Sequence, residues 1–556
     1  MERPTPDSIF DTLSIGFGPA SVALAIALAE LNSHPPRPSA QPLYSSLGGL
    51  QHALGFDAEE VAREQRKRRG EDKTNVKAAF VERHNGFRWH PGMMLEGSKM
   101  QISFLKDLAT LRNPQSPYTF LSYLASFQPS RLVSFISLST FTPSRREFAD
   151  YLQWCAEKVT AELRAQGGEV SFGEEVVGVD ALRPDEHDQG ADVRVLRVTS
   201  RVLETGELVH RYTRNLVVSA GGSPKVPSQL AAPELVQTGR VLHTASFLEH
   251  IHRVLPEVVE RANEERPIRL AVVGAGQSAA ECFLHLRTKL APLLPRSSTS
   301  SLSHRPQIDM LIRSSALRPT DEGQFSNEVF DPSMSQAVYR LGQAERERVL
   351  GEAKSTNYSI VNPKTLDVVY ETMYDQKVEE DIAERTCAPA KDLLHDPRLN
   401  IRPYTEIREA SPTSSGAIEL VLFNPITREE RTETYDAVVC GTGYDRQAWR
   451  NILFRPTHES VLAEGEAETI PLAALFDTTS VDEEEDSSSA ASPAPASSPS
   501  VTAPPALSLP DSAFADLSRP TSSSSASTSL HRADLPSLPF LPAHTLQILH
   551  QSRARL

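Results

Sequence analysis

Hydrophobic positions along this chain follow two periods, and the period changes where glycines cluster. Residues 12–29 read as a strand carrying Leu13 and Ile15, a tight turn, then a helix with Val22, Leu24, Ile26 and Leu28. Residues 268–290 repeat that order of strand, turn and helix. Residues 145–165 have helical spacing, with Phe148, Tyr151, Leu152 and Cys155 on one face. Short apolar runs at 78–82, 170–179, 193–198, 216–220, 308–312 and 436–440 predict strands. Strands mixed with helices in this way predict an α/β fold.

The composition shifts between these units. Residues 32–77 hold Pro35, Pro36 and Pro38 and then a charged run at 59–73, and read as a surface insertion. Residues 292–306 are rich in Ser and Pro and read as a loop. No glycine follows Gly465, and 482–529 is mostly Ser, Ala, Pro and acid. Such a segment buries too little surface to offset chain entropy, so it is expected to be disordered. A chain of 556 residues exceeds one ordinary core, and two or three domains are expected.

The net charge of −15 disfavours a general nucleic-acid binder without excluding a local basic pocket. No apolar run approaches the ~18 residues of a membrane span. Residues 1–11 lack the basic-then-apolar layout of a signal peptide, so a cytoplasmic location is expected. The four cysteines, Cys155, Cys282, Cys387 and Cys440, form no Cys-x-x-Cys pair. That argues against a dithiol redox centre and a zinc site; no metal is expected, and the thiols read as reduced and mostly buried.

Two glycine clusters carry the candidate chemistry. In Gly16-Phe17-Gly18-Pro19-Ala20-Ser21, Gly16 permits a tight turn and Gly18 lets backbone approach a pyrophosphate at a helix N-terminus. Glu82, ending the next strand, stands where a carboxylate accepts bonds from an adenosine ribose. It lies further on than the usual spacing, and the 32–77 insertion accounts for the excess. The second cluster, Gly274-Ala275-Gly276-Gln277-Ser278-Ala279, is a cleaner fingerprint, and the strand after it leads to Arg313. A guanidinium there suits a 2′-phosphate, whereas an acid suits a free ribose hydroxyl, which favours NADPH over NADH. The plain alternatives are a solvated strand-end Glu82 and a surface Arg313. Two fingerprints in one chain imply two dinucleotides, FAD first and NADPH second. Between them Gly239, His243 and Phe247 have the Gly-x3-His-x3-aromatic spacing of class B flavin monooxygenases, without its leading aromatic, where Gln237 stands.

Several further segments occur in a specific order: Phe87-Arg88-Trp89-His90-Pro91-Gly92-Met93, Met100-Gln101, Lys106 through Arg112, and Thr142-Pro143-Ser144-Arg145-Arg146-Glu147-Phe148. Ser315-Ala316-Leu317-Arg318-Pro319, Phe325-Ser326-Asn327-Glu328, Ser355-Thr356-Asn357-Tyr358 and Gly441-Thr442-Gly443-Tyr444 come after these. In these segments the chain resembles the microbial N-hydroxylating flavin monooxygenases, in particular the fungal L-ornithine N5-monooxygenases of siderophore biosynthesis, over roughly 11–446.

The resemblance implies two Rossmann-like domains, one for FAD and one for NADPH, with a smaller, mainly helical substrate region. It implies an FAD domain at 1–247, an NADPH domain at 248–408 with ornithine bound around 325–395, a return to the FAD domain at 409–465, and a divergent tail at 466–556. FAD would be lined by Gly16, Gly18, Pro19, Glu82, Arg83, His84, Asn85, Gly86, Phe87, Arg88, Trp89, His90, Gln101 and Val176. NADPH would meet Gly274, Gly276, Gln277, Ser278, Arg313 and Asn357. Ornithine would be held by Lys106 at its carboxylate, with Asn327, Glu328, Val329 and Phe330. Asn327 and Asn357 would act at the reacting centre. The implied reaction is N-hydroxylation of L-ornithine by O2 through a C4a-hydroperoxyflavin, in a homo-oligomer, often a tetramer. The family's closing Thr-His-Gly-Leu-Ser-Asp segment has only Ala543-His544-Thr545-Leu546-Gln547 opposite it, without glycine. A lysine or diamine N-monooxygenase, or a catalytically impaired flavin-fold protein, are the alternatives.

Overall fold

The structure, a computed structural model, describes residue 5 and residues 8–33, 75–182, 195–262, 266–294, 305–320, 334–357, 360–386, 396–453 and 469–471. In chain order the strands are β1 (Ile9–Ile15), β2 (Ala78–Glu82), β3 (Glu169–Phe172), β4 (Glu174–Leu182), β5 (Leu196–Val202), β6 (Leu208–Val218), β7 (Ser223–Pro224), β8 (Val241–His243) and β9 (Arg269–Val273). Then come β10 (Gln307–Leu311), β11 (Arg398–Arg402), β12 (Glu406–Pro412), β13 (Ile418–Phe423), β14 (Glu430–Tyr435), β15 (Ala437–Cys440), β16 (Tyr444–Asp445) and β17 (Thr469–Pro471). Five helices position the candidate site: α1 (Pro19–Ser33), α2 (Arg145–Ala165), α3 (Phe247–Arg261), α4 (Gln277–Leu290) and α5 (Pro363–Thr386).

The first sheet has the order β17-β4-β5-β6-β1-β2-β3. The part that leads into the first glycine turn is parallel, with β1 between β2 and β6. All five residues of β2 are buried, as expected of a strand covered on both faces. α1 and α2 cover this part of the sheet. Ser144 caps α2 by accepting from Glu147 N at 3.0 Å, and the face carrying Phe148, Tyr151, Leu152 and Cys155 is buried. These residues join Phe17, Val22, Ile26, Phe80, Phe120 and Tyr123 in one core.

The second sheet, β11-β10-β9-β15-β8, is parallel throughout. α3 and α4 bury Phe247, Ile251, Val254, Phe283 and Leu286 against it. A three-stranded antiparallel sheet, β12-β13-β14, closes a further core with Ile418, Leu420, Leu422 and Tyr435. The region expected to be mainly helical does contain the helices Met334–Arg340, Gln343–Asn357 and α5.

Three expected boundaries need correction. Residues 241–243 (β8), expected in the first domain, pair in the second sheet. Residues 437–440 (β15), expected within the return to the first domain, lie between β8 and β9 in the second sheet. The strand that does return is β17, which pairs with β4 inside the segment expected to be a divergent tail. The cause is burial: Ala437-Val438-Val439-Cys440 is covered on every side, and the slot that covers it is beside β9. β6 also starts earlier than expected. Its first half looks too polar for an inner strand, because buried Arg211 sits there, paired with Glu174 at 2.7 Å and Glu169 at 2.5 Å. β12–β14 were not anticipated, although Ile418, Leu420 and Leu422 alternate as a half-buried strand should. Cys155, Cys282 and Cys440 are buried free thiols, and Cys387 lies outside the described residues. Residues 482–529 and the 543–547 segment also lie outside them. No described helix is long and apolar enough to cross a membrane. Among the described residues no His, Cys, Asp and Glu group could hold a metal ion.

Candidate functional site

Each glycine cluster sits where a parallel strand meets a helix, at the strand's carboxyl end. Gly16 ends β1 with a φ of +92°, and an added Cβ would lie 2.5 Å from the Ser219 carbonyl oxygen. Only glycine fits that turn. Gly18 is different: a Cβ there meets nothing within 4 Å, so its backbone faces open space at the α1 N-terminus. The first turn of a helix leaves backbone N–H groups without intrahelical partners, and Pro19 supplies the preset φ. The space and the donors fit a phosphate group.

Glu82 reaches back from β2 to this turn. Its Oε2 accepts from Phe17 N at 2.8 Å, and its Oε1 accepts from His84 N at 3.0 Å. His84 Nδ1 lies 2.6 Å from the same Oε1. The carboxylate thus ties together the two elements expected to hold adenosine, and its remaining lone pairs stay available to a ribose. His84 O accepts from Gly173 N at 2.9 Å, which leads residues 83–86 past the start of β4. Val176 stands on β4, at a bulge in its pairing with β5.

Residues 87–95 cross from one core to the other. Phe87 and Trp89 pack on the first core, whereas Met93 and Leu95 belong to the second. Arg88 pairs with Glu249 of α3 at 2.6 Å. His90 has a φ of 42°, an uncommon conformation for a non-glycine residue. Its ring meets Tyr444 edge-on at 6.0 Å, and His243 meets Tyr444 from elsewhere at 5.3 Å. His243 Nε2 donates to Gly443 O at 2.9 Å while its Nδ1 accepts from Ala245 N at 3.0 Å. Burial holds this imidazole below its ordinary pKa, consistent with that neutral tautomer. The histidine of the intervening fingerprint therefore links β8 to the Gly441–Tyr444 segment.

At the second turn Gly274 has a φ of +126°, and a Cβ would collide with the Gly441 carbonyl oxygen. A Cβ on Gly441 would in turn press on Ala279 Cβ at 2.6 Å. Gly274, Gly441 and Ala279 are thus stacked backbone on backbone, and the motif's small residues serve this packing. Gly276 precedes α4 as its N-cap. Gln277 N, the first helical donor, is taken by Ile360 O at 3.1 Å. Gln277 Oε1 accepts from Asn362 N at 2.7 Å, and its Nε2 donates to Glu281 at 2.9 Å and Thr365 at 3.0 Å. Ser278 lies partly buried in the same turn. Arg313 is exposed two residues beyond β10, and Gly274 N bonds Leu311 O at 3.0 Å, so the guanidinium leaves the sheet beside this turn.

Gln101 and Lys106 lie, both partly buried, on a loop packed against the first core. Lys106 ends the 3-10 turn Phe104–Lys106, which Ser103 caps by accepting from Leu105 N at 3.2 Å. Buried Asp107 fixes the next stretch of chain, accepting from Ala109 N at 2.9 Å, Thr110 N at 2.6 Å and Phe120 N at 2.7 Å. Burial raises its pKa in spite of these bonds. Asn357 closes the helix Gln343–Asn357, and its side chain lies outside what is described. Asn327, Glu328, Val329 and Phe330 lie outside the described residues altogether. No local sequence signal marks the segment 360–365 or the ion pair that Arg145 makes with Glu281 at 2.8 Å. Arg145 stands in a matched motif without an implied role.

Comparisons with known proteins agree with this geometry. A structure of ornithine hydroxylase from Pseudomonas aeruginosa superposes with a TM-score of 0.58 at 34% identity, covering 81% of this chain and 86% of that one. An ornithine N-hydroxylase from Kutzneria sp. 744, with reduced FAD, NADP⁺ and L-ornithine, superposes with a TM-score of 0.55 at 26% identity, covering 79% and 81%. The L-ornithine N(5)-monooxygenase of Ceriporiopsis subvermispora is 40% identical over 460 residues, 80% of this chain and 74% of the relative. That of Omphalotus olearius is 36% identical over 525 residues, 88% and 81% of the two chains. The family model described as L-lysine 6-monooxygenase/L-ornithine 5-monooxygenase matches residues 60–446, most of the described fold, and the chain belongs to that family.

Proposed function

We propose that this chain binds FAD and NADPH and uses O2 to hydroxylate the side-chain amine of L-ornithine, giving N5-hydroxy-L-ornithine, the first step of hydroxamate siderophore biosynthesis. The observation that carries the reading is a pair of strand–glycine–helix units on two separate sheets, each parallel around its glycine turn and joined by a segment that packs into both cores. FAD supplies the oxygen-activating chemistry when bound and reduced.

The chain's own residues bind, orient and exclude water. Gly18 and the α1 N-terminus hold the first pyrophosphate, and Glu82 accepts from the ribose. Gly274, Gly276 and Ser278 face the second dinucleotide, and Arg313 takes its 2′-phosphate as a guanidinium can. Lys106 and Asn327 grip the carboxylate of ornithine, which aims the distal amine. Glu328, Val329 and Phe330 line the same substrate. Asn357 both donates and accepts, so it can bridge cofactor and amine. The amine reacts in its neutral form, so the rate of the chemical step rises with pH across the neutral range.

The test is the spectrum and the product. Purified protein with added FAD should show bound flavin, NADPH should bleach it, and O2 with ornithine should yield a hydroxylamine. A protein that never retains flavin, or that consumes NADPH without oxygenating ornithine, refutes the reading. Lysine and a diamine without a carboxylate, assayed alongside, separate the substrate alternatives. Lys106→Ala should raise the ornithine KM far more than it changes NADPH oxidation. The reading also places the protein in the cytoplasm, in keeping with three unbridged thiols, and as a homo-oligomer, which sedimentation tests.

A further inference from the structure

One buried network outside the nucleotide turns joins three elements that face them. Arg145, the first residue of α2, donates from Nη1 to Glu281 Oε2 at 2.8 Å and from Nη2 to Glu281 Oε1 at 3.0 Å. The same Nη1 donates to Met93 O at 2.9 Å. Only 14% of the arginine side chain and 12% of the glutamate side chain are exposed. Arg145 N also donates to Ser98 O at 2.9 Å, which anchors the loop leading to Gln101 and Lys106. Glu281 lies one helical turn after Gln277 on α4 and accepts from Gln277 Nε2 at 2.9 Å. Gln277 in turn holds Asn362 N and Thr365, just before and within α5.

We propose that Arg145 and Glu281 are positioning residues, and that they act through Gln277. Together they set the second nucleotide site against the first. The inference rests on the proposed function. Every tie point lies beside a nucleotide-facing element. Met93 comes just after residues 84–90, Gln277 comes next after Gly276, and Asn362 lies shortly after the helix that Asn357 closes. The carboxylate uses both oxygens, and the guanidinium forks across it in the geometry that fixes orientation as well as distance. A buried ion pair gives little net stability compared with an apolar pair of the same size, whereas breaking one half of it leaves an uncompensated charge. Its benefit here is geometric. Two dinucleotides on separate sheets must meet at one reacting centre, and a small misplacement there costs rate steeply. Both polar atoms of the Gln277 side chain have protein partners, and through them it holds residues 360–365 against α4.

The experiment uses the full chain carrying Glu281→Gln or Arg145→Lys. E281Q keeps an oxygen for Gln277 and weakens the hold on Arg145. R145K keeps the charge and loses the fork. NADP⁺ affinity is measured by titration of the oxidised, FAD-loaded protein. Amide exchange over residues 360–366 is measured without nucleotide, and coupling is scored as hydroxylamine formed per NADPH consumed. Each variant should bind NADP⁺ about tenfold more weakly, the effect of losing one charge-assisted hydrogen bond. Exchange at Asn362 should quicken and coupling should fall, while FAD content and ornithine KM stay near those of the unsubstituted protein. A variant with full FAD content whose NADP⁺ affinity, exchange and coupling are all unchanged overturns the proposal. If both variants fail to fold, the double variant R145M/E281M, which removes both charges, is read by the same three measures. Failure of the underlying functional reading looks different, because the unsubstituted protein would then retain no flavin or form no hydroxylamine from ornithine.

Discussion

Gly16 and Gly18 stand two positions apart in one motif, yet substituting each by alanine should break the protein in different ways. At Gly16 an alanine must adopt a φ of +92°, which costs about 1–3 kcal/mol for a non-glycine residue. Its Cβ would also lie 2.5 Å from Ser219 O, where ordinary contact begins at 3.4 Å, so β1 or the end of β6 must yield by 0.9 Å. Movement of packed backbone adds about 1–3 kcal/mol, so G16A should lose roughly 2–6 kcal/mol of stability with or without flavin. At Gly18 the added methyl meets nothing, and alanine reduces the freedom of the unfolded chain by about 0.4–1 kcal/mol. That gain offsets the cost of about 0.5–1 kcal/mol for alanine at a helix N-cap. Flavin-free G18A should therefore unfold in urea at the same midpoint as the unsubstituted protein. The same methyl fills the space into which a pyrophosphate must come, so G18A should take up FAD at least tenfold more weakly. Urea unfolding of both flavin-free variants, with FAD titration followed by flavin fluorescence, decides the matter. If G18A binds FAD normally, or falls in stability as far as G16A, the assignment of open space at Gly18 to a nucleotide is wrong.

Arg313→Glu should raise the KM for NADPH at least tenfold and leave that for NADH nearly unchanged; parallel initial rates with both coenzymes check this, and equal effects on both would remove Arg313 from the 2′-phosphate site. Asp309 is fully buried and accepts from Gln307 at 2.6 Å, Asn400 at 2.9 Å and Tyr435 at 2.8 Å, besides pairing with Arg269. Asp309→Ala leaves these donors unmatched and should cost about 3–5 kcal/mol in urea unfolding, with FAD bound per folded molecule unchanged because the network lies on the second sheet. Acid should erode stability in two windows. Burial depresses the pKa of His243, so below about pH 6.5 the unfolded chain binds a proton that the folded one resists, and stability falls with pH until the folded value is passed. Burial alone would raise Glu433, but bonds and charges from Arg402 and Arg269 lower it to about 2, so its contribution is present above the ordinary glutamate value and is lost as pH falls toward 2. Urea unfolding at pH 7.5 and 5.5 should show the first window in the unsubstituted protein and a flatter dependence in His243→Asn; identical slopes would refute the role given to His243.

Local chemistry made much of this protein legible before any contact was known. A glycine after an apolar strand and before a helix needs no tertiary information, because a positive φ and a bare backbone are properties of the residue itself. The two strand–glycine–helix turns, Glu82 at the end of β2 and the buried face of α2 could be read that way. Which sheet each strand joins could not. Val241–His243 and Ala437–Cys440 are short runs whose partners are distant in sequence, and only tertiary packing placed Ala437–Cys440 beside β9 and Val241–His243 beyond it, on β15. A polar residue misled for the same reason: Arg211 looks like surface until Glu174 arrives from another strand to compensate it. The pair Arg145–Glu281 and the engagement of Gln277 with residues 360–365 likewise exist only once the two sheets have come together, since a bidentate ion pair depends on the relative placement of two helices and no periodicity within either helix encodes it.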